Sequence, residues 1–346
     1  MAASDIMRKP SIVKNILNIN RSTNIIILII LILITTLGIY RTFTPAHGQL
    51  QSISEFELQM KGTLDDDDPG LLEEVRQRFL HGPSSLEYHL IEDENSYLGN
   101  TYIMSKCCSW AWYDKIIKEL FNESPPGFFV EAGAHDGEFF SNTLYLERRL
   151  GWTGLLVEVD REIYKKLQKK NRKSWSSNCC LATMPYPHQA ILRSLSKSNK
   201  ISVGKTAMGT ILSTAKQEDT ARLGFEVYQS ARCIPLYTLL KAIEKDHVDL
   251  ISLDVEGAEM GVLENIPWHK MTVDVWMVEH RSLNEHGDLV NKLDPKFISW
   301  FESMGYNLYA VQETYSDYVF IRNGTSVHKR AFTLQNGKLE SKYVET

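Results

Sequence analysis

The chain has 346 residues, 43% of them hydrophobic, and a formal net charge of −5. That is enough for one large or two modest domains with an apolar core. Mild acidity, with no long basic stripe carrying interleaved aromatics, excludes a phosphate-backbone binder, so no nucleic-acid partner is expected.

Residues 1–22 carry Arg8, Lys9, Lys14 and Arg21 and lead into STNIIILIILILITTLGIY, a run without a charge. About 20 consecutive apolar residues span a bilayer core as a helix. The run is apolar all round, unlike an amphipathic core helix, and no small-x-small cleavage site follows before Tyr40 and Arg41. A transmembrane helix over 23–41 is expected. The basic excess ahead of it holds the N-terminus in the cytosol, which makes a type II topology with the bulk of the chain outside the cytosol. Residues 42–70 read as a polar stem, ending in the acidic run Asp65–Asp68, which lacks the alternation and closing Glu of a calcium loop. Residues 71–101 form a lead-in whose one short amphipathic helix is broken at Gly82 and Pro83.

The main domain is expected over 102–326, with a C-terminal tail at 327–346. Its first helix, Trp110–Phe121, places Trp112, Ile116, Ile117 and Leu120 on one core-facing side. FFVEAG then supplies a strand from Phe128 to Val130, an acid at Glu131, and glycines at 133 and 137. After a helix, GWTGLLVEVD supplies a second strand, Leu155–Val159, ending in Glu158 and Asp160. This is the first half of a βαβ nucleotide site: the glycines let the backbone turn and approach a ligand, and Glu158 is placed to accept ribose hydroxyls. The spacing E-x-G-x-x-x-G lacks the third close glycine of a dinucleotide fingerprint, which points to S-adenosylmethionine rather than NAD.

A basic helix is expected at Arg161–Lys173 and a third strand at Asn178–Ala182. Residues 184–232 lack sustained periodicity and read as a lid, a substrate-binding insertion, or two ragged strands around Ile201 and Thr210. Regularity returns with a helix at Ile234–Ile243 and a buried-type strand at Leu250–Leu253 that delivers Asp254, Glu256, Gly257 and Glu259. A strand at Val273–Val278 ends in Glu279 and His280. A helix at Pro295–Met304 and two strands, Tyr306–Val311 and Tyr318–Ile321, close the domain as an antiparallel hairpin. The alternation gives an α/β, Rossmann-like class with a seven-stranded, mostly parallel sheet. In such sheets the crevice lies beyond the strands' C-terminal ends, where Glu131, Glu158, Asp254 and His280 fall.

Cys107, Cys108, Cys179, Cys180 and Cys233 show no metal-ligand spacing, and no metal is expected. Adjacent cysteines do not bridge to each other, so a disulfide would join distant segments. Sequons stand at Asn122-Glu123-Ser124 and Asn323-Gly324-Thr325.

VEAGAHDGEFFSNT, GWTGLLVEVD and VDLISLDVEGAEMGVLENI resemble the motif set of the FkbM family of methyltransferases over roughly Gly127 to Asn323. The resemblance implies a Rossmann-like fold, S-adenosylmethionine as cofactor and hydroxyl methylation. Carried over by position, Glu131, Gly133 and Gly137 hold the methionine end of the cofactor and Glu158 the ribose. Asp254 and Glu256 lie beside the transferred methyl. A base is needed, with His280 the first candidate, His135 the second, and Asp254 in the same catalytic group. With its anchor, SNTLYLE and GWTGLLVE, the chain also resembles a Star-like branch of type II membrane proteins. Members of that branch move an epidermal-growth-factor-type ligand precursor out of the endoplasmic reticulum. That resemblance implies a transmembrane client protein as partner and residence in endoplasmic reticulum, Golgi, endosomal and plasma membranes. Two functions therefore stand, a trafficking escort and an anchored O-methyltransferase. The escort comes first because a luminal domain meets little S-adenosylmethionine unless a transporter supplies it.

Overall fold

Alternation along each strand decides this architecture. In a computed structural model, residues 65–90, 111–195, 210–211, 226–283, 289–290, 292–335 and 338–341 are described. All belong to one unit, Lys61–Thr346. The expected membrane span at 23–41, the tail before it, the stem up to residue 64, and Cys107 and Cys108 lie outside the described residues. Among the described residues no helix is long and apolar enough to cross a membrane.

In chain order the elements are α1 (Pro69–Arg78), β1 (Leu80–His81), α2 (Ala111–Phe121), β2 (Phe128–Ala132), α3 (Leu144–Leu150), β3 (Thr153–Val157), α4 (Arg161–Lys169) and β4 (Trp175–Ser177). They continue with β5 (Cys180–Leu181), β6 (His188–Leu195), β7 (Thr210–Ile211), β8 (Glu226–Ile234), α5 (Leu236–Ala242), β9 (His247–Leu253) and α6 (Glu259–Glu264). The last are β10 (Thr272–Glu279), β11 (Ser282–Leu283), β12 (Leu289–Val290), α7 (Pro295–Ser303), β13 (Tyr306–Gln312), β14 (Asp317–Arg322), α8 (Ser326–Ala331), β15 (Phe332–Gln335) and β16 (Lys338–Ser341).

The main sheet runs β1-β4-β3-β2-β9-β10-β14-β13. Strands β4, β3, β2, β9 and β10 are mutually parallel, and β14 and β13 return as an antiparallel hairpin beside β10. This is the expected Rossmann-like α/β class, with a mixed and mostly parallel sheet. The sheet has eight strands where seven are expected, because two residues of the lead-in, Leu80 and His81, pair antiparallel with β4. A two-residue strand has no period to detect.

Neighbouring residues on each strand enter opposite cores. Val130, Leu155, Ile251, Trp276 and Phe320 pack on one face with Leu239 and Leu240 of α5 and Phe297 and Phe301 of α7. Phe129, Leu156, Leu250, Val275 and Val319 pack on the other with Ile116, Ile117 and Leu120 of α2 and Leu167 of α4. A sheet covered on both sides accounts for strands that read as continuous apolar runs. The acidic run also belongs to the fold. Asp68 caps α1 through the Leu71 N–H at 2.9 Å, and Lys270 Nζ lies 2.8 Å from Asp66 and 3.2 Å from Asp67.

Several boundaries differ from expectation: the basic helix ends at Lys169 rather than Lys173, and the stretch expected as a tail from 327 carries most of α8 with β15 and β16 and buries Val327, Ala331 and Phe332 in the core. The third parallel strand is Trp175–Ser177, not Asn178–Ala182, because a polar Ser-rich run hides it beside the more apolar Cys-Cys-Leu. The stretch from 184 to 232 contributes antiparallel β-structure: β6, β7 and β8 join β5 in a second sheet, ordered β5-β8-β6-β7. A disulfide from Cys180 to Cys233 ties β5 to β8, with Cys179 buried as a free thiol. It joins distant segments, 53 residues apart.

Candidate functional site

The strand order reverses between β2 and β9, since β3 and β4 extend to one side of β2 and β9 and β10 to the other. A crevice therefore opens where the C-terminal ends of β2 and β9 part. Gly133 occupies that point with φ of 86°. Its N–H and that of Ala134 both donate to the Val157 carbonyl at 3.0 Å, and Asp254 N–H donates to Ala132 at 3.1 Å. A Cβ at Gly133 would overlap the Asp254 carbonyl oxygen, so only glycine lets the two strand exits meet. Gly137, at φ 77°, closes the turn against Leu167.

The strand-end acids are held by protein donors. Glu131 accepts from Ser141 Oγ at 2.9 Å, the Asn142 N–H at 2.6 Å and Thr143 Oγ1 at 2.5 Å. Arg172 binds the same loop, reaching Ser141 and Thr143 at 3.2 Å and Glu147 at 3.0 Å. Burial raises the Glu131 carboxyl against the opposing pull of Arg172 and those donors. Glu131 thus organises the Ser141-Asn142-Thr143 loop that leads into α3. Glu158, just past β3, accepts the His135 N–H at 2.8 Å and the Asp160 N–H at 2.7 Å, and burial lifts it to about 7. His135 has φ of 49° and is 7% exposed; its Nδ1 lies 3.7 Å from Asp136 Oδ1, and neither ring nitrogen makes a hydrogen bond.

A second group of acids gathers beyond β9 and β10. Asp254, Glu256 and Glu279 bring one oxygen each within 4.8 Å of one another. Glu279, close beside Asp254, adds to burial in raising the Asp254 carboxyl. Arg281 pairs with Glu256 and, at 3.3 Å, with Glu279. Asp317 opens β14 opposite Glu279 and accepts from Tyr113 Oη at 2.9 Å. Burial raises all four: Asp254 well above the carboxylate range, Glu256 to about 8, Glu279 and Asp317 to about 7. Glu259 sits below, accepting the Val255 and Gly257 N–H groups at 3.0 Å, and burial brings it to about 7.

His280 stands apart from this group. Its ring stacks on Phe297 with centroids 3.9 Å apart and faces Asp294 at 3.3 Å, and burial lowers its basicity. The structure thus brings together Asp254 and Glu256, sets Glu131, Gly133, Gly137, His135 and Glu158 around the glycine turn, and turns His280 toward α7. Sequence reasoning passed over Glu279, Arg281 and Asp317. Glu279 was legible as the acid one residue before His280 at the tip of β10, on the other side of that strand by simple alternation.

Residues 131–308, more than half of the chain, match the methyltransferase FkbM domain. No curated protein matches the chain. Among solved structures, similarity is found to a SAM-dependent methyltransferase from Thiobacillus denitrificans in complex with S-adenosyl-L-homocysteine. The identity is 9% and the TM-score 0.30, over 64% of this chain and 73% of that one. With its glycine turn, strand-tip acids and domain match in register, this chain belongs to the FkbM methyltransferase family.

Proposed function

We propose that the domain binds S-adenosylmethionine across the ends of β2, β3 and β9 and supports methyl transfer to a hydroxyl, on a chain anchored as a type II membrane protein. The observation that carries this reading is the setting of Glu158: a carboxylate at the tip of β3, fixed by the backbone N–H groups of His135 and Asp160, beside a buried His135 ring whose nitrogens make no hydrogen bond and whose nearest charge is Asp136, 3.7 Å from Nδ1. Buried polar groups without partners are rare and mark places where a ligand completes the set. Glu158 keeps lone pairs for ribose hydroxyls while its backbone bonds fix its direction. The cofactor, when bound, supplies an electrophilic methyl group on a sulfonium. The glycine turn gives its methionine end room, and the acids beyond β9 and β10 take up the proton that the acceptor hydroxyl releases. His280, engaged with Asp294 and Phe297, serves in this reading as a support for that wall rather than as the base. Incubating the full chain in detergent with methyl-tritiated S-adenosylmethionine and solubilised membrane glycoconjugates tests it. Label should enter the acceptor fraction and be absent with Asp254→Asn; no transfer by the wild type rejects the catalytic part.

A second reading, the Star-like escort of a membrane client such as an epidermal-growth-factor-type precursor, shares with the first the oxidising compartment to which the Cys180–Cys233 disulfide points. Disulfides persist in oxidising compartments, and both sequon asparagines, Asn122 and Asn323, are exposed as luminal acceptors require. If the escort depends on the nucleoside site, Glu158→Ala will stop client export from the endoplasmic reticulum together with cofactor binding. Normal export by a variant that no longer binds cofactor would separate the two.

A further inference from the structure

We infer that Asn323 carries an N-linked glycan and that Asn122, in the other sequon, does not. The inference rests on the reading that places the domain in an oxidising lumen, and it adds a modification site at the sheet edge opposite the crevice. Asn323-Gly324-Thr325 directly follows β14, whose Asp317 end lies beside Glu279 and whose Arg322 end reaches Asp274 at 3.8 Å. Because β14 runs antiparallel to β10, it emerges at the edge where the parallel strands begin. Asn323 is exposed there, and its N–H donates to the Gly305 carbonyl at 2.9 Å, which fixes the turn through the backbone. A Cβ at Gly324, where φ is 81°, or at Gly305 would meet nothing within 4 Å, so the space over the turn is open. A bulky sugar on the Asn323 amide fits this surface without displacing a packed side chain.

The motif at Asn122-Glu123-Ser124 is held differently. Asn122 Oδ1 accepts the Tyr145 hydroxyl at 2.6 Å, and Ser124 Oγ accepts from Arg330 Nη2 at 2.8 Å. Those bonds draw the motif against α3 and α8, where a sugar would crowd both. The sequence sets the same order before folding, when transfer occurs. Pro125 follows Ser124 directly and confines its backbone to extended conformations, which keeps the hydroxyl from bending back toward the acceptor amide. Thr325 is followed by Ser326, and its β-branched side chain holds the hydroxyl in fewer rotamers. In the transfer, Asn323 Nδ2 attacks the anomeric carbon of an oligosaccharide borne on a polyprenyl diphosphate. A C1–Nδ2 bond forms, the C1–O bond breaks, the lipid diphosphate leaves with the electron pair, and the amide proton passes to a base of the transferase. On folding, Thr325 Oγ1 then caps α8 through the His328 N–H at 3.1 Å.

The test is expression of the full chain in cultured animal cells, treatment with a peptide N-glycosidase in heavy-oxygen water, and peptide mass spectrometry without reduction. One sample then reads Asn323, Asn122 and the Cys180–Cys233 linkage. Asn323 should appear as labelled aspartate and Asn122 as asparagine. On gels, wild type and Asn122→Gln should each drop by one glycan step on enzyme treatment and Asn323→Gln by none. Thr325→Ser, which keeps both the hydroxyl and the helix cap, should retain the glycan. An unmodified Asn323 in a chain whose Cys180–Cys233 bond has formed would overturn the assignment and leave the luminal reading standing. An unmodified Asn323 with both cysteines reduced would reject the two together. A glycan on Asn122, alone or beside one on Asn323, would also overturn it. Because transfer precedes folding, the gel comparison does not require that every variant fold.

Discussion

The two edges of the parallel sheet each gather acids, and they treat them differently. At the N-terminal edge, His247, Asp249 and Asp274 also come within 4.8 Å of one another. There every charge has an answer: Asp249 accepts the Phe128 N–H at 2.7 Å, His247 lies 3.6 Å from Asp249, and Arg322 lies 3.8 Å from Asp274. The hydrogen bond to Asp249 raises His247. For Asp249, burial pushes upward but the bonds from His247 and the Phe128 N–H outweigh it and hold the carboxyl low. Both shifts favour the charged forms, although burial raises Asp274. At the C-terminal edge every shift among Asp254, Glu256, Glu279 and Asp317 disfavours charge. The first cluster is a closed ion group; the second holds more acids than counter-charges, the setting in which functional carboxylates are found.

Glycine substitutions give the largest expected break in this comparison. At Gly133 a Cβ meets the backbone carbonyl of Asp254, whereas at Gly127 it meets the Asp249 carboxyl and the Trp152 ring, which are side chains able to shift. Gly133→Ala should therefore cost more than about 4 kcal/mol, in the exceptional range for a point change, and Gly127→Ala clearly less. Denaturant midpoints of the two variants check the order.

Next in size is the crosslink beside the C-terminal edge. Cys233→Ser opens a disulfide spanning 53 residues, worth about 4 kcal/mol by loop entropy. Hydrogen exchange should show β6 and β8 losing protection while β2, β3 and β9 keep theirs. Equal loss in both sheets would mean that the insertion and the site edge fold as one.

The smallest effect has the clearest sign. A carboxyl whose folded pKa is raised holds its proton where the unfolded chain has released it, so stability falls as pH rises from about 4 toward the folded value. For Glu279 that window closes near pH 7. Glu279→Gln should melt a few degrees above wild type at pH 8, equivalent to about 1 kcal/mol, and no higher at pH 4. Asp249→Asn should show the reverse, losing stability at neutral pH and little near pH 3, because its native carboxylate is favoured above the unfolded value.

Much of this was legible in the chain. Phe128–Val130, Leu250–Leu253 and Val273–Val278 announce buried parallel strands because both faces of the sheet are covered, and each structural strand contains its predicted core. The glycine turn and the acids at 131, 158 and 254 follow from those strand ends. The insertion was not legible, since β6 alternates against a partner in β8 more than 30 residues away and carries exposed Ile191 beside buried Leu192. Which acids face each other was hidden as well. Glu279 and Asp317 meet only because β14 is inserted between β10 and β13, a register that no local pattern encodes.

The account depends on the C-terminal edge being a nucleoside site and the N-terminal edge being structural. Titrating S-adenosylhomocysteine into the full chain by isothermal calorimetry tests this directly. The expected result is one binding event that Glu158→Gln abolishes and Asp249→Asn leaves intact. No heat of binding at millimolar ligand, or binding indifferent to Glu158, would contradict it.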